Sequence, residues 1–99
     1  MSNQNICVVA RFVALPEKAE TLKAVLLELV EPTRQEAGCL KYELFQNQSE
    51  PTDFTFVEEW ASNDALDTHL ESAHIKALSN QLDGLIAAEP DICRYTLVG

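Results

Sequence analysis

The segment at residues 6–15, ICVVARFVAL, is apolar at nearly every position, whereas a strand with one face in water alternates between apolar and polar residues. Its β-branched and aromatic side chains favour a strand, and Pro16 ends it. Such a strand must be covered on both of its faces. Because a chain of 99 residues has only a modest core, residues 1–99 are predicted to form a single domain that needs help to cover this strand.

The segments that follow predict one helix and three further strands. Apolar residues at helical spacing follow Pro16 and predict a helix that frays near Pro32; they are Ala19, Leu22, Val25, Leu26 and Leu29. Alternating segments predict two strands, at residues 39–46 and 54–60, joined by the polar loop 47–53. A last strand is predicted at residues 92–98.

Two serines mark the starts of helical segments between the third strand and the last one. Ser62 is a candidate N-cap for a short helix. Ser72 is a candidate cap for a second stretch, whose apolar residues are Ile75, Leu78, Leu82, Leu85 and Ile86. The helical region is therefore predicted to be broken near Ser72.

The predicted order β-α-β-β-α-β is that of an α+β, ferredoxin-like fold, with an antiparallel sheet and both helical regions on one face. This arrangement leaves the other face of the sheet without cover. Because residues 6–15 are apolar on both sides of the strand, a second copy of the sheet is the simplest cover. We therefore predict a homodimer.

Charge and composition restrict the partners and the compartment. The chain has 16 acidic and 7 basic residues and a formal net charge of −9, which repels nucleic acid and anionic membranes. The first residues lack the pattern of a secretory signal, so a cytoplasmic location is expected. Cys7, Cys39 and Cys93 are odd in number and lie among apolar residues, so reduced thiols are predicted.

One face of the third strand places a carboxyl group among aromatic rings. Residues two apart on a strand share a face, so Phe54, Phe56, Glu58 and Trp60 are predicted to lie together. Loss of hydration there raises the pKa of Glu58, which suits a general acid or base near neutral pH. The alternative is a structural carboxyl at the margin of the sheet, bonded to a hydroxyl group or to a partner chain.

His69 and His74 are the two histidines of the chain. Five residues apart, they do not share a face of a continuous helix, and two histidines fall short of the three protein ligands of a catalytic zinc. No metal site is therefore predicted. His69 is in register with Leu66 and Leu70 and either points into a pocket or is a satisfied histidine at a helix end. His74 is expected to cap or pack locally, or to contact a substrate.

The order and spacing of three motifs resemble the antibiotic biosynthesis monooxygenase family, in particular its small quinol monooxygenase branch. The motifs are Gly38-Cys39-x-x-Tyr42, Glu58-x-Trp60 and Ala65-Leu66-x-x-His69-Leu70-x-x-x-His74-x-Lys76-Ala77. The resemblance implies a dimeric α+β barrel with an apolar pocket in each monomer. It also implies oxidation of a quinol or polyphenol by O₂ without a metal, flavin or other cofactor.

The resemblance implies roles for the matching residues. Trp60 would wall the pocket, Tyr42 and His69 would hydrogen-bond the substrate oxygens or relay a proton, and Glu58 would orient or neutralise His69. Further candidates for substrate contact are Phe54, Phe56, His74 and Ala10.

Two other activities are known among similar proteins, and a third reading is not catalytic. Ala10 and Ser79 stand where the haem-degrading branch has an asparagine and a histidine, which argues against haem. Another relative isomerises a phosphorylated small signal molecule. A dimeric small-ligand-binding module without catalysis is the alternative of a different class, since fold alone does not fix function.

Overall fold

The computed structural model describes residues 5–99, which form four strands and four helices. The strands are β1 (Ile6–Val13), β2 (Cys39–Gln46), β3 (Asp53–Trp60) and β4 (Asp91–Tyr95). The helices are α1 (Ala19–Leu27), α2 (Val30–Arg34), α3 (Asn63–Leu70) and α4 (Ala73–Gln81). Within these residues, no helix is both long and apolar enough to cross a membrane.

The strands form one antiparallel sheet in the order β2-β3-β1-β4. This order and the sequence of elements confirm the predicted ferredoxin-like α+β fold. β1 lies between β3 and β4, so both of its edges are paired within the sheet.

The helices cover one face of the sheet, which we call the inner face. Its strand residues are buried together with helix leucines; they are Val8, Ala10, Phe12, Tyr42, Phe54, Phe56 and Trp60 against Leu22, Leu26, Leu66 and Leu78. The opposite, outer face is less covered: Val9 and Val57 are partly buried, and Phe45 and Tyr95 are each 51% exposed. Homodimerisation through this outer face stays a prediction.

Several boundaries differ from those predicted. β1 ends at Val13, because the chain there leaves the strand ladder: the N–H of Leu15 donates to the carbonyl of Leu85. β4 ends at Tyr95 and not at residue 98. Tyr95 pairs with Cys7, and β1 begins only one residue before Cys7, at Ile6, so the following residues have almost no strand to pair with. The helix α1 starts at Ala19, after a turn at Pro16.

The helical segments break where the serines predict. The Ser62 hydroxyl accepts a hydrogen bond from the N–H of Ala65 and caps α3. Ser72 lies at the N-cap of α4, but its hydroxyl donates back to the carbonyl of His69 at 2.6 Å. α4 stops at Gln81, so the predicted helical positions at Leu85 and Ile86 lie in the loop before β4.

The three cysteines are free thiols in the structure. The sequence predicts that Cys7 and Cys93 lie about four residues apart along the paired first and last strands. In the structure the offset between the two cysteines is smaller, because Cys93 pairs with Val9 and Cys7 pairs with Tyr95. The two cysteines are thus two residues apart in register.

Candidate active site

A cavity of about 110 Å³ lies between the inner face and the helices. Its walls are mainly apolar, and Ile92, which is 48% exposed, marks its solvent side. Four polar side chains also line it: those of Tyr42, Glu58, His69 and Ser79. Apolar walls with a few convergent polar groups are the usual form of a small-molecule site, and this cavity is smaller than the roughly 300 Å³ at which most such sites begin.

Glu58 supplies the carboxyl group of the cavity. The alternation of β3 buries it on the same face as Phe54, Phe56 and Trp60, as the sequence predicts, and it is 4% exposed. Burial raises the pKa of Glu58 to about 7, the hydrogen bond from Trp60 opposes this rise, and the charge of Glu36 adds to it. The group can therefore take up or release a proton near neutral pH.

Trp60 supports Glu58 from outside the cavity. Its indole Nε1–H donates to Glu58 Oε1 at 2.8 Å, and its ring lies 4.7 Å from that of His69. Trp60 is fully buried and is not among the cavity walls, so the prediction that it walls the pocket is wrong. The reason is its place at the end of β3, since the cavity lies over Phe56 and Glu58 in the middle of the strand.

Tyr42 lines the cavity and keeps its hydroxyl group protonated. Its ring stacks on Phe56 with centroids 4.7 Å apart and meets the edge of His69 at 5.7 Å. Burial raises the pKa of Tyr42, and the nearby Glu58 charge raises it further. The phenol thus remains a hydrogen-bond donor over the whole range in which Glu58 titrates.

His69 is held by Glu36 and not by Glu58. Its Nδ1 lies 2.8 Å from Glu36 Oε2, whereas Glu58 bonds to Trp60, so Glu36 and not the predicted Glu58 orients His69. Burial lowers the pKa of His69, although the Glu36 carboxylate acts in the opposite direction. The neutral ring donates Nδ1–H to the carboxylate, which leaves Nε2 as the nitrogen available to the cavity.

His74 also binds Glu36, with its Nε2 2.6 Å from the same Oε2 atom. It does not line the cavity, so its predicted substrate contact is wrong in this structure. The break at Ser72 starts a new helix, whose first turn aims His74 at the connection before β2. The Glu36 carboxylate is therefore hydrogen-bonded to both histidines of the chain.

The remaining predicted contact residues differ in whether they line the cavity, according to their position on the strands. Ala10 and Phe56 line the cavity, whereas Phe54 is fully buried at the far end of β3 and is not among the cavity walls. Sequence reasoning missed Glu36, which lies 33 residues from His69 in an irregular connection without a periodic signal. It also missed residues of the helical layer that close the cavity, among them Leu78 in α4 and, next to the helix ends, Leu29 and Leu82.

A ferredoxin-like sheet with an apolar, acid-bearing cavity under its helices defines the class as a small-molecule enzyme or binding protein. The chain belongs to the antibiotic biosynthesis monooxygenase family, whose sequence profile matches residues 5–81. This membership supports a monooxygenase-like function.

Individual relatives agree with this assignment. The Bacillus subtilis protein named "Putative monooxygenase YcnE" is 32% identical over 83% of this chain and 86% of its own. An uncharacterised Synechocystis protein, sll1783, is 29% identical over 83% of this chain, which spans 56% of that longer protein. The crystal structure of PA3566 from Pseudomonas aeruginosa superposes with a TM-score of 0.91 at 30% identity, covering 97% of this chain and 96% of that one.

Proposed function

We propose that the protein is a monooxygenase that oxidises a small aromatic quinol or polyphenol with O₂ and needs no metal or organic cofactor. The observation that carries this proposal is the buried Glu58, whose pKa is raised to about 7 beside an apolar cavity. A buried carboxyl group with such a pKa, placed beside a cavity, can exchange a proton with a bound ligand near neutral pH.

The size and walls of the cavity favour a single aromatic ring. Its volume of about 110 Å³ is of the same order as the ~150 Å³ of an engineered cavity that holds benzene. Phe56 and Tyr42 offer ring surfaces for stacking, and Leu66 and Leu78 exclude water on the helix side. The substrate class is therefore one-ring phenols and quinols in preference to long or charged molecules.

The polar groups suit the activation of a phenol. The ionised Glu58 accepts the phenolic proton, and the resulting phenolate is rich enough in electrons to react with O₂. The Tyr42 hydroxyl and His69 Nε2 hydrogen-bond the substrate oxygens and hold the ring in place. General-base assistance of this kind contributes roughly 10²- to 10⁴-fold to a rate.

The reaction balances without an external reductant. A quinol and O₂ give a hydroxyquinone and water, so one oxygen atom enters the ring and the other leaves as water. The four electrons that reduce O₂ come from the quinol itself. The protein needs to bind, deprotonate and shield the substrate.

We also propose that the working form is a homodimer in which two outer faces meet. The partly buried Val9 and Val57 and the half-exposed Phe45 and Tyr95 form an apolar surface that one chain leaves uncovered. Sedimentation at micromolar concentration is expected to give a dimer mass, and a monomer would contradict this part of the proposal.

Oxygen uptake by metal-free protein tests the proposed activity. A panel of one-ring quinols, polyphenols and non-phenolic aromatics is compared with the uncatalysed rate of each compound. We expect catalysed uptake with quinols and none with the non-phenolic analogues. If quinols bind, as seen by quenching of Trp60 fluorescence, but no compound is oxidised above its background rate, the protein is a ligand-binding module.

A further inference from the structure

Glu36, His69 and His74 form a cluster that the proposed oxidation does not use as a whole. The carboxylate oxygen Oε2 of Glu36 lies 2.8 Å from His69 Nδ1 and 2.6 Å from His74 Nε2. The three ligand atoms all lie within 4.8 Å of one another. We propose that these three residues bind a divalent transition-metal ion, on the side of His69 that faces away from the cavity.

The donor set fits such an ion. Two imidazole nitrogens and one carboxylate oxygen are ligands of Zn²⁺ and of the neighbouring first-row metals. Metal–ligand bonds of ~2.0–2.2 Å place ligand atoms ~3–3.5 Å apart, so side-chain shifts of about 1 Å convert the hydrogen-bonded cluster into a coordination shell. An ion replaces the protons that now join the histidines to Glu36.

The break between α3 and α4 removes the sequence-based objection to a metal. On a continuous helix, His69 and His74 would point in different directions. In the structure His69 lies in the last turn of α3 and His74 in the first turn of α4, and both reach the same oxygen. Glu36 supplies the third protein ligand, which the sequence pattern did not provide.

The backbone around the cluster holds the ligands in place. Gly38, with φ of +85°, lets the connection before β2 pass directly against α3, where an added Cβ would lie 2.5 Å from the Cβ of Ala65. The carbonyl of Gly38 also accepts a hydrogen bond from the N–H of Ala61 at 2.8 Å. These two backbone contacts hold Glu36 beside α3 before an ion binds. The entropic cost of assembling a site is therefore lower.

The cluster is accessible to an ion from one side. The side chain of His69 is 3% exposed, but those of Glu36 and His74 are 16% and 24% exposed. Neither Glu36 nor His74 lines the cavity, so the bound ion does not touch a substrate there. The formal charge of −9 draws cations toward the protein in general.

Metal binding changes what His69 offers to the cavity. Without an ion, Nδ1–H donates to Glu36, and Nε2 is a hydrogen-bond acceptor. With an ion on Nδ1, the neutral ring carries its proton on Nε2 and becomes a donor. The ion thus sets the direction of the hydrogen bond between His69 and a cavity ligand.

Zinc titration calorimetry on the whole chain, without substrate, tests the site independently of the oxidation. All proteins carry Cys7→Ser, Cys39→Ser and Cys93→Ser, which removes the thiols as competing ligands. We expect one Zn²⁺ per chain with a dissociation constant of ~1–10 µM, weaker than four-ligand structural zinc sites. Absence of binding up to ~1 mM would overturn the proposal.

Single substitutions locate the ion. His74→Ala and Glu36→Gln should each weaken zinc binding by more than ~100-fold, which exceeds the ~10- to 100-fold cost of losing an outer-shell partner. The matched control is Glu71→Gln, an exposed carboxyl paired with Lys76, which should bind like the parent. Equal binding by His74→Ala and Glu71→Gln refutes the assignment.

A measurement on the parent protein covers the case in which a variant does not fold. Side-chain ¹⁵N NMR of the histidines should show the His69 proton on Nδ1 without zinc and on Nε2 with zinc. Ring nitrogens of His69 that do not respond to a saturating amount of Zn²⁺ would place the ion elsewhere and overturn the proposal.

Discussion

The inner and outer faces of the sheet are made by the same strands but are covered to different extents. On β3, Phe56 and Glu58 face the helices and are 1% and 4% exposed, whereas their neighbours Val57 and Glu59 face outward and are only partly buried. Period-two alternation thus places two successive glutamates in different surroundings. The difference teaches that burial, and not residue type, makes Glu58 a candidate catalytic group.

The two faces also differ in what holds them together. The inner face is closed by the chain's own helices, and a small cavity lies among its buried residues. Within residues 5–99 the outer face is less covered, and Phe45 and Tyr95 on it are each half exposed. Chemistry is therefore expected on the inner face and association on the outer one.

Glu58→Gln should cause the largest change, in activity. The amide cannot accept the phenolic proton, so turnover of a quinol should fall by roughly 10²- to 10⁴-fold, as measured by oxygen uptake. Glu59→Gln, on the outer face of the same strand, is the matched control and should stay near the parent rate. Similar rates for both variants would mean that the face of β3 does not decide catalysis.

Phe56→Ala and Phe45→Ala truncate the same side chain on the two faces, and their losses of unfolding free energy can be compared. Phe56 is 1% exposed, so its truncation leaves a hole in the core and should lower the free energy of unfolding by about 3–5 kcal/mol in urea denaturation. Phe45 is 51% exposed, and for the isolated chain its truncation should cost less than about 1 kcal/mol.

The same pair tests the proposed dimer. If a partner chain covers Phe45, Phe45→Ala should weaken association in sedimentation experiments while the monomer stays folded. Equal losses of unfolding free energy in the two variants, at a dilution at which both are monomeric, would contradict the difference between the faces.

The pH dependence of stability should report the buried carboxyl. The pKa of Glu58 rises from 4.5 to about 7 on folding, so between these values the unfolded chain is ionised and the folded one is not. Stability from this group therefore falls as pH rises through that window and levels off above it, by up to about 3 kcal/mol in total.

Urea denaturation of the parent and of Glu58→Gln from pH 4 to pH 8 measures this term. The variant lacks the titration, so its stability relative to the parent should increase across the window, and Glu59→Gln again serves as the control. A constant difference between parent and Glu58→Gln would show that Glu58 titrates alike in the folded and unfolded chains.

Trp60→Phe should have the smallest effect. The indole Nε1–H stabilises the ionised form of Glu58, so its loss should raise the pKa of Glu58 further, by roughly one unit or less. The midpoint of the pH–rate profile for a quinol should move upward accordingly. Because Trp60 does not line the cavity, a large rise in KM with an unmoved midpoint would contradict this role.

Local pattern alone determined the framework of the protein. The apolar segment of β1, the alternation of β3 and the capping serines predict the positions of these elements along the chain, the buried face of Glu58 and the helix break near Ser72, because each depends on neighbours within a few residues. The motifs around Tyr42, Glu58 and His69 likewise indicate the family that the whole chain belongs to.

Tertiary structure decided how the site is connected. Glu36 is brought to His69 and His74 because Gly38 passes close to α3. Glu36 and His69 are 33 residues apart in the sequence, so no periodic pattern predicts their contact. The position of the cavity over the middle of β3 separates Glu58, which lines it, from Trp60, which only supports Glu58. Sequence fixes which face a side chain takes, whereas distances between elements follow from how the helices pack on the sheet.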